Sequence, residues 1–347
     1  MATIKEVARR AKVSVGTVSN VLTGAIAVSD TLKARVERAI RDLQYRPNHI
    51  ARSLKTRRTK TLGMVISDIT NPFYPQVVRG AEDSALRHGY MLVTFNTDDR
   101  VDREDQVLAE LQARKVDGAL IVTSLGRTDY RPLLALRDGG IPLVCVDRVA
   151  PALPLDSVTV TNRKGARECV RHIIECGHAR IAMIAGDPRS QVGRDRLRGY
   201  KDALKSAGLP VDPALIAFGD FRQQTASEGT VKLLSLPAER RPTALFVANS
   251  MMALGVLRAL ETLGLACPRD IALASFDDLT LAAPFRPHLT SVAQPTYDLG
   301  YKAAELLIDR LTGKLDSPSP VRVRLDTVLH VRESTAGHRL ARVSPCP

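Results

Sequence analysis

The chain has 347 residues with a formal net charge of +13, and 44% of its residues are hydrophobic. This length exceeds what one hydrophobic core usually serves, so we expect two or three domains. No apolar run approaches the ~18 residues of a membrane span, and the N-terminus lacks the apolar stretch of a signal peptide. The five cysteines form no C-x-x-C pair. Together these features favour a globular cytoplasmic protein with reduced thiols.

The positive charge is concentrated at one end of the chain. Residues 1–60 contain 14 Lys or Arg and four Asp or Glu, a net charge of +10, whereas the rest of the chain shares +3. A small basic module on a near-neutral body indicates a polyanionic partner such as nucleic acid. The alternative is a solvated basic surface that has no partner.

Three short helices are predicted in this basic module. A capping box at Thr3 starts the first helix, Ser14 caps the second, and the third follows Ser29. Two short helices joined by a tight turn and packed on a third form a helix-turn-helix. The second helix turns Gly16 and Asn20 outward, on a face small enough to enter a DNA major groove. The alternative, a three-helix bundle docked on another domain, does not account for the basic surplus.

The pattern changes at Thr61. Strands rich in β-branched residues alternate with helices in the manner of a parallel, doubly wound sheet, and this rhythm repeats once. It predicts two α/β subdomains like those of periplasmic binding proteins, with a ligand cleft between them. The predicted parts are a helix-turn-helix domain (1–46), a hinge helix and linker (47–60) and an effector-binding and dimerisation domain (61–347). The first subdomain is expected at about 61–161 and 293–320, and the second at about 162–292 and 321–335.

Nothing in the sequence indicates an enzyme. The chain has no G-x-x-x-x-G-K-[ST], G-x-G-x-x-G or G-x-S-x-G motif. Its seven histidines are scattered without the spacing of metal ligands. We therefore expect no catalytic residues, no metal and no cofactor.

Several motifs resemble the signature of the LacI/GalR family of bacterial transcriptional regulators, and the similarity continues to Arg332. These motifs are Ile4-Lys5-Glu6-Val7-Ala8, Val13-Ser14, Thr17-Val18-Ser19, Tyr45-x-Pro47-Asn48 and Ala51-Arg52-Ser53-Leu54. The resemblance implies a homodimer that binds a palindromic, double-stranded DNA operator. It also implies control by a small molecule in the cleft, and no membrane partner.

The resemblance further implies which residues contact DNA. Val15, Gly16 and Asn20 occupy the base-reading positions, and Leu54 matches a leucine that wedges into the minor groove and bends the duplex. Asn20 and Thr23 stand where Arg and Asn are common, which leaves the operator sequence open. The predicted DNA-binding residues are Thr3, Ser14, Val15, Gly16, Thr17, Ser19, Asn20, His49, Arg52, Ser53, Leu54 and Lys55.

A second set of residues is predicted outside the carboxyl ends of the strands, where doubly wound sheets bind ligands. Aromatic faces combined with carboxylates, amides and arginines are typical of a sugar site, although the arginines also tolerate an acidic sugar or a phosphate. Thr161-Asn162 and Asn249-Ser250 each lack a carboxylate that is common in the family. The predicted effector-binding residues are Phe73, Tyr74, Asp147, Arg148, Ser190, Arg196, Phe221, Asn249 and Asp277.

The sequence therefore predicts a ligand-responsive, DNA-binding transcriptional regulator. The expected activity is repression of carbohydrate catabolic genes under the control of a sugar or sugar acid. Two alternatives stay open. One is a solute-binding transport protein with the same fold in residues 61–347. Such a protein has no use for the basic N-terminal module (residues 1–60), called the head below. The other is a regulator of the same class that responds to a non-sugar effector such as a nucleobase.

Overall fold

The structure, a computed structural model, describes residues 2–23, 26–45, 58–149, 153–278 and 286–335. The chain divides into two compact units, residues 1–59 and residues 60–347. Most of the predicted hinge segment, 47–60, lies outside the described residues. Each unit is built on its own hydrophobic core.

The first unit consists of three short helices, α1 (Ile4–Ala11), α2 (Val15–Thr23) and α3 (Asp30–Asp42). Their order and bounds confirm the predicted helix-turn-helix. Apolar residues recur at helical spacing on each helix, so the three apolar faces close over one small core. The buried residues of this core are Val7, Ala8, Ala11, Val18, Val36 and Ala39.

A tight turn joins α1 to α2. Lys12 adopts a left-handed backbone conformation with φ of 51°, and its amide donates to the carbonyl oxygens of Ala8 and Arg9. Arg35 of α3 donates to the carbonyl oxygens of Ala11 and Lys12 at 2.6 and 3.0 Å. The last carbonyls of a helix have no partner within the helix. Arg35 therefore holds the end of α1 in place.

A parallel sheet opens the second unit. Its strands are β1 (Thr61–Ile66), β2 (Met91–Asn96), β3 (Gly118–Ile121), β4 (Leu143–Val146), β5 (Asp156–Val160) and β11 (Arg322–Leu325). Their order is β11-β5-β4-β3-β1-β2, and every neighbouring pair is parallel. Strands β3 and β4 are buried along their whole length. Such burial explains their uniformly apolar sequences, because helices cover both faces of a parallel sheet.

The helices packed on this sheet are α4 (Phe73–Arg87), α5 (Val101–Ala113), α6 (Arg131–Asp138) and α11 (Thr296–Thr312). Along β1, Met64 packs into the core under α4 and α11, whereas Val65 packs into the core under α5 and α6. Helices α4 and α11 approach each other closely. A Cβ atom at Gly300 would lie 1.8 Å from the carbonyl oxygen of Val77, so only glycine fits at this crossing.

A second sheet repeats the arrangement. Its strands are β6 (Ile181–Ala185), β7 (Ile216–Phe218), β8 (Ala244–Val247), β9 (Ala272–Phe276), β10 (Thr290–Ala293) and β12 (Val328–His330). Their order is β12-β10-β9-β8-β6-β7, and β12 alone of these strands runs antiparallel to its neighbour. The accompanying helices are α7 (Asn162–Glu175), α8 (Gln191–Ser206), α9 (Gln223–Leu234) and α10 (Ser250–Thr262), with short 3-10 helices at Pro213–Leu215 and Glu333–Thr335.

The two sheets confirm the predicted pair of doubly wound subdomains, but one predicted boundary is wrong. Strand β11 was expected in the second subdomain with the rest of 321–335. It instead pairs with β5 of the first sheet, with Arg322 opposite Ser157. The chain crosses to the second sheet only after Leu325. The apolar alternation of this segment predicts a strand, but a strand pattern does not say which sheet edge accepts it.

Within the described residues, no helix is both long enough and apolar enough to cross a membrane. The same part of the chain contains no group of three or more His, Cys, Asp or Glu side chains placed to hold a metal ion. Cys145, Cys169, Cys176 and Cys267 are free thiols.

Candidate DNA-binding and effector-binding sites

The N-terminus of α2 presents a small, accessible surface. The Ser14 hydroxyl accepts a hydrogen bond from the Thr17 amide at 3.0 Å and lies 2.9 Å from the Thr17 hydroxyl, so it caps the helix. Ser14, Val15 and Gly16 are exposed, and the Val15 side chain is 41% accessible. On the opposite face, Val18 is fully buried in the three-helix core. The core thus fixes which face of α2 is free.

The other predicted DNA-binding residues have different surroundings. Ser19 and Asn20 are half-buried on α2. Thr3 belongs to a capping box, in which its amide donates to a Glu6 carboxylate oxygen at 2.7 Å and its hydroxyl accepts from the Glu6 amide at 3.4 Å. Five further predicted residues lie outside the described residues, namely His49, Arg52, Ser53, Leu54 and Lys55.

Gly16 is not required by the packing of its own unit. A Cβ atom at this position would meet only the Ser14 hydroxyl oxygen, at an ordinary contact distance of 3.5 Å. Glycine inside a helix costs about 0.5–1 kcal/mol relative to alanine. Packing within the unit gives no reason for a glycine here. We infer that an external surface approaches the backbone of α2 closely at Gly16.

We therefore expect Gly16→Ala to separate stability from DNA binding. The variant should unfold with a free energy about 0.5–1 kcal/mol higher than that of the wild type, because alanine favours the helix. Its affinity for operator DNA should fall, because the added methyl group occupies the contact face. Chemical denaturation and fluorescence anisotropy with labelled operator measure the two quantities. Unchanged operator affinity in a stabilised variant would show that Gly16 does not face DNA.

A polar pocket lies between the two sheets of the second unit, at the carboxyl ends of their strands. Eight of the nine predicted effector-binding residues line it. The lining consists of Asn71, Phe73, Tyr74, Asp147, Arg148, Val192, Arg196, Phe221, Asn249, Asp277 and Gln294.

Two aspartates face this pocket from equivalent places. Asp147 directly follows β4 and Asp277 directly follows β9, and each of these strands is third in its sheet. Both residues adopt the left-handed conformation, with φ of 63° and 68°. Aspartate tolerates this conformation better than most residues. The paired turns bring one carboxylate from each subdomain to the same pocket.

Arg196 of α8 is the central cation of the pocket. It is only 3% exposed, and its Nε and one terminal nitrogen donate to the Asn162 side-chain oxygen at 2.8 Å and to the Ala248 carbonyl at 2.6 Å. Its guanidinium lies 3.7 Å from the centre of the Phe276 ring. Burial lowers the pKa of Arg196, and Asp277 and Asp147 oppose that effect. The second terminal nitrogen has no acceptor among the described residues, which leaves it to a ligand.

Arg148 is committed to protein partners in a similar way. Its guanidinium donates to Asp99 at 2.5 Å, lies 3.9 Å from the Asp147 carboxylate and stands 5.9 Å from the centre of the Phe221 ring. Burial opposes the charge of Arg148, but the surrounding acidic groups raise its pKa overall. The two arginines of the pocket are thus balanced by Asp147 and Asp277, with Asp99 behind them. Three carboxylates against two guanidinium groups disfavour an anionic ligand.

Aromatic side chains form the remaining walls. Phe73 and Tyr74 begin α4 and meet edge to face, with ring centroids 5.0 Å apart. Phe221 has a φ of 60° and turns its ring toward Gly186. A Cβ atom at Gly186 would lie 2.2 Å from that ring, so glycine at 186 is needed to seat it. Rings placed in this way offer apolar faces to the C–H groups of a ligand.

One predicted residue is absent from the pocket and several unpredicted residues contribute to it. The Ser190 hydroxyl caps α8 by accepting from the Gly193 amide at 3.0 Å, and Ser190 does not line the pocket. Asn71 and Gln294 line it, and Asp99 holds Arg148 from behind. Each of these three follows the carboxyl end of a strand (β1, β2 or β10), and this position is the signal by which sequence analysis could have found them.

Two acceptors in the pocket have no hydrogen-bond partner among the described residues. They are Oδ1 of Asp147 and Oε1 of Gln294, whose amide nitrogen donates to Asp277. A buried acceptor without a donor costs about 1–3 kcal/mol. The pocket itself encloses about 30 Å³. It adjoins two larger cavities. One, of about 520 Å³ and called the rear cavity, shares Asp147 and Val192 with the pocket and is lined by residues 159–164. The other, of about 660 Å³ and called the front cavity, shares Asn71, Arg148 and Phe221 with the pocket.

The buried Asp147 should make stability depend on pH. Burial raises its pKa to about 6, while Arg148 and Arg196 pull the value down and Asp277 and Asp99 add to the increase. Because the folded-state pKa lies above the ordinary value of 3.8, the protonated form favours folding and this contribution is lost as pH rises through about 6. The unfolding free energy of the wild type, measured relative to that of Asp147→Asn, should therefore be higher at pH 5 than at pH 7. Urea unfolding of both proteins across this range measures the difference, and a midpoint near pH 4 would contradict it.

A basic helix-turn-helix unit and a binding-protein-like unit with a polar cleft define a ligand-responsive, DNA-binding transcriptional regulator. Comparison with known proteins agrees. Residues 3–48 match the family model described as bacterial regulatory proteins, lacI family, and residues 170–335 match a periplasmic binding protein-like domain. The ribose operon repressor of Escherichia coli (strain K12) is 39% identical over 312 residues, which cover 90% of this chain and 94% of that repressor. The chain belongs to the LacI family.

Two solved structures resemble the whole chain. The transcriptional regulator CelR–cellobiose complex is 35% identical, with a TM-score of 0.72, and the match covers 96% of this chain and all of that one. The lac repressor dimer bound to operator and the anti-inducer ONPF is 28% identical, with a TM-score of 0.83 over 96% of this chain and 99% of that one.

Proposed function

We propose that this chain is a cytoplasmic repressor that binds a palindromic operator as a homodimer and is controlled by a sugar in the cleft. The charge-balanced pocket is the observation that supports a sugar as the effector. Arg148 is held by Asp99, and Arg196 keeps one terminal nitrogen for a ligand, whereas Asp147 and Gln294 present acceptors that need donors. Hydroxyl groups supply such donors without bringing a charge.

The part of the effector that enters the pocket is therefore neutral and hydroxylated. A carboxylate there would approach Asp147 and Asp277, whose charges together with that of Asp99 outnumber those of Arg148 and Arg196. The names of similar proteins support a sugar, since one relative is a ribose operon repressor and one similar structure holds cellobiose. The similar lac repressor structure, a dimer on operator DNA, supports the proposed assembly.

The DNA-binding residues are proposed to act together. Val15, Gly16 and Asn20 read the half-site from the major groove, and basic side chains of the head contact phosphates. Leu54 is proposed to insert into the minor groove at the operator centre. The effector then acts by changing how the two copies of the head are presented to the palindrome.

Isothermal titration calorimetry with a ligand panel tests the effector class. The panel contains D-ribose and cellobiose as neutral sugars, D-gluconate as a sugar acid and hypoxanthine as a nucleobase. We expect a neutral sugar to bind and gluconate to bind at least about tenfold more weakly, because its carboxylate faces Asp147 and Asp277. Binding of gluconate or hypoxanthine alone would overturn the proposed class.

A further inference from the structure

The pocket is too small to hold a sugar ring by itself. It encloses about 30 Å³. This is room for roughly one or two water molecules, whereas sites for small ligands usually measure about 300–1,000 Å³. The effector must therefore extend into the rear cavity or into the front cavity, and both are large enough to receive a ring. The hydrogen-bonding groups that the protein leaves without a partner distinguish the two.

Gln191 presents a buried acceptor to the rear cavity. It begins α8 and lines that cavity. Its side-chain nitrogen donates to a carboxylate oxygen of Asp195 at 3.4 Å, and because an ionised carboxylate only accepts, this contact fixes the orientation of the amide group. The other polar atom of the side chain, Oε1, is buried and has no hydrogen-bond partner among the described residues. Leaving a buried acceptor unmatched is costly, which points to a donor supplied by a ligand.

Asp147 presents a second acceptor, at the junction of the pocket and the rear cavity. It lines both spaces, and its Oδ1 is buried without a hydrogen-bond partner in the described part of the chain. The two acceptors come from opposite subdomains, since Asp147 follows β4 of the first sheet and Gln191 begins α8 beside the second. Val192, next to Gln191, also lines both spaces. A ligand that reaches from the pocket into the rear cavity can therefore donate to both subdomains at once.

The front cavity shows no comparable need for donors. Within the described residues, none of the buried side-chain nitrogen or oxygen atoms that lack a hydrogen-bond partner belongs to its lining. Carboxylates of this cavity already accept from the protein, as Asp99 does from Arg148 at 2.5 Å. Asp187 likewise accepts from Arg189 at 2.5 Å. The unmatched acceptors therefore favour the rear cavity.

The charges of the rear cavity favour a neutral ligand. Three carboxylates and four cations line it, so its lining is close to neutral. Arg163 pairs with Asp202 at 2.6 Å. Asp195 pairs with Arg198 at 3.3 Å. Hydroxyl groups both donate and accept, so they can donate to Gln191 Oε1 and accept from the exposed guanidinium groups that line the same space.

We propose that the effector is a neutral disaccharide, with one ring at the pocket and the second ring in the rear cavity. The first ring donates to Asp147 and packs on the aromatic walls, and the second ring donates to Gln191. This inference rests on the proposed sugar effector. The two can fail separately, because a monosaccharide would satisfy the proposed function and would leave the rear cavity without a role.

Calorimetry on the full chain with disaccharides and their component monosaccharides tests the size of the effector. The disaccharides are cellobiose, maltose, lactose, sucrose and trehalose, and the monosaccharides are D-glucose, D-galactose, D-fructose and D-ribose. We expect one disaccharide to bind at least about tenfold more tightly than every monosaccharide. A monosaccharide that binds as tightly as the best disaccharide overturns the inference and leaves the proposed sugar effector standing. Absence of binding by every sugar overturns the proposed function and this inference with it.

Gln191→Met tests the rear cavity directly, because methionine has a similar size and lacks the amide acceptor. We expect this variant to bind the disaccharide at least about tenfold more weakly and to bind the monosaccharides as the wild type does, a difference that a general loss of structure would not produce.

Two matched variants serve as controls. Gln223→Met makes the same change in the lining of the front cavity, and Gln224→Met makes it at an exposed position of α9, where Gln224 donates to Glu228 at 3.0 Å. We expect neither control to change the affinity for the disaccharide. Weaker binding by Gln223→Met with unchanged binding by Gln191→Met would place the second ring in the front cavity. That result, or equal binding by all three variants and the wild type, overturns the inference.

Discussion

Replacing Arg196 by methionine should lower the affinity for the effector by about 100-fold, equivalent to about 2.7 kcal/mol. The variant loses the donor left to the ligand, the bonds to Asn162 and Ala248, and the stacking on Phe276. It also removes one of the two cations whose charges offset those of Asp147 and Asp277. A buried charge stripped of its partner is strongly unfavourable, so the pocket should lose its geometry as well as one contact.

The matched control for this experiment is Arg198→Met on the same helix. Arg198 is exposed and pairs with Asp195 at 3.3 Å, so its loss changes the net charge equally without touching the pocket. Calorimetry on both variants gives the effector affinities. The operator affinity measured without effector shows whether the N-terminal unit still binds DNA. Retention of wild-type effector affinity by Arg196→Met would mean that the ligand binds elsewhere.

Leu54→Ala should reduce specific operator affinity by about 100-fold while leaving non-specific DNA binding and its salt dependence nearly unchanged. Leu54 lies outside the described residues, and its proposed role rests on the sequence. Inserting an apolar side chain unstacks a base step at a cost of a few kcal/mol. The bent duplex that results contacts more of the protein, which offsets this cost. Non-specific binding depends instead on phosphate contacts and counterion release.

Lys55→Ala is the contrasting control. A phosphate-contacting lysine should affect specific and non-specific binding alike and reduce the salt slope by about one. Fluorescence anisotropy with operator and scrambled duplexes over a range of salt separates the two behaviours. An unchanged ratio of specific to non-specific affinity in Leu54→Ala would exclude the wedge.

Much of this fold follows from local sequence pattern. Runs such as β3 and β4 are apolar throughout because both faces are covered, and helical spacing marks α1 and α3. The sheet that accepts β11 was not predictable in this way. Its side chains alternate as any half-buried strand does, and the choice of β5 as neighbour depends on where the crossings between subdomains place the chain end.

The residues that line the pocket could be predicted from the sequence, but the partners of their side chains could not. The carboxyl ends of parallel strands meet at one edge, which is why Asp147 and Asp277 were found from sequence position. Their neighbours depend on side-chain directions that spacing does not encode. The arginines were expected to tolerate an acidic ligand, but Arg148 is held by Asp99, and Arg196 by Asn162 and Ala248. Ser190 has the right position and is used as a helix cap instead.

One small molecule in the cleft is proposed to control DNA binding by the N-terminal unit. The most direct test is the affinity of the full chain for a palindromic duplex from upstream of its own gene or neighbouring genes, measured by anisotropy with and without the sugar that binds in calorimetry. We predict that saturating sugar changes the affinity by about 5- to 150-fold, and that Arg196→Met binds the duplex but does not respond to the same sugar concentration. Equal affinity with and without bound sugar would contradict control of DNA binding by the cleft.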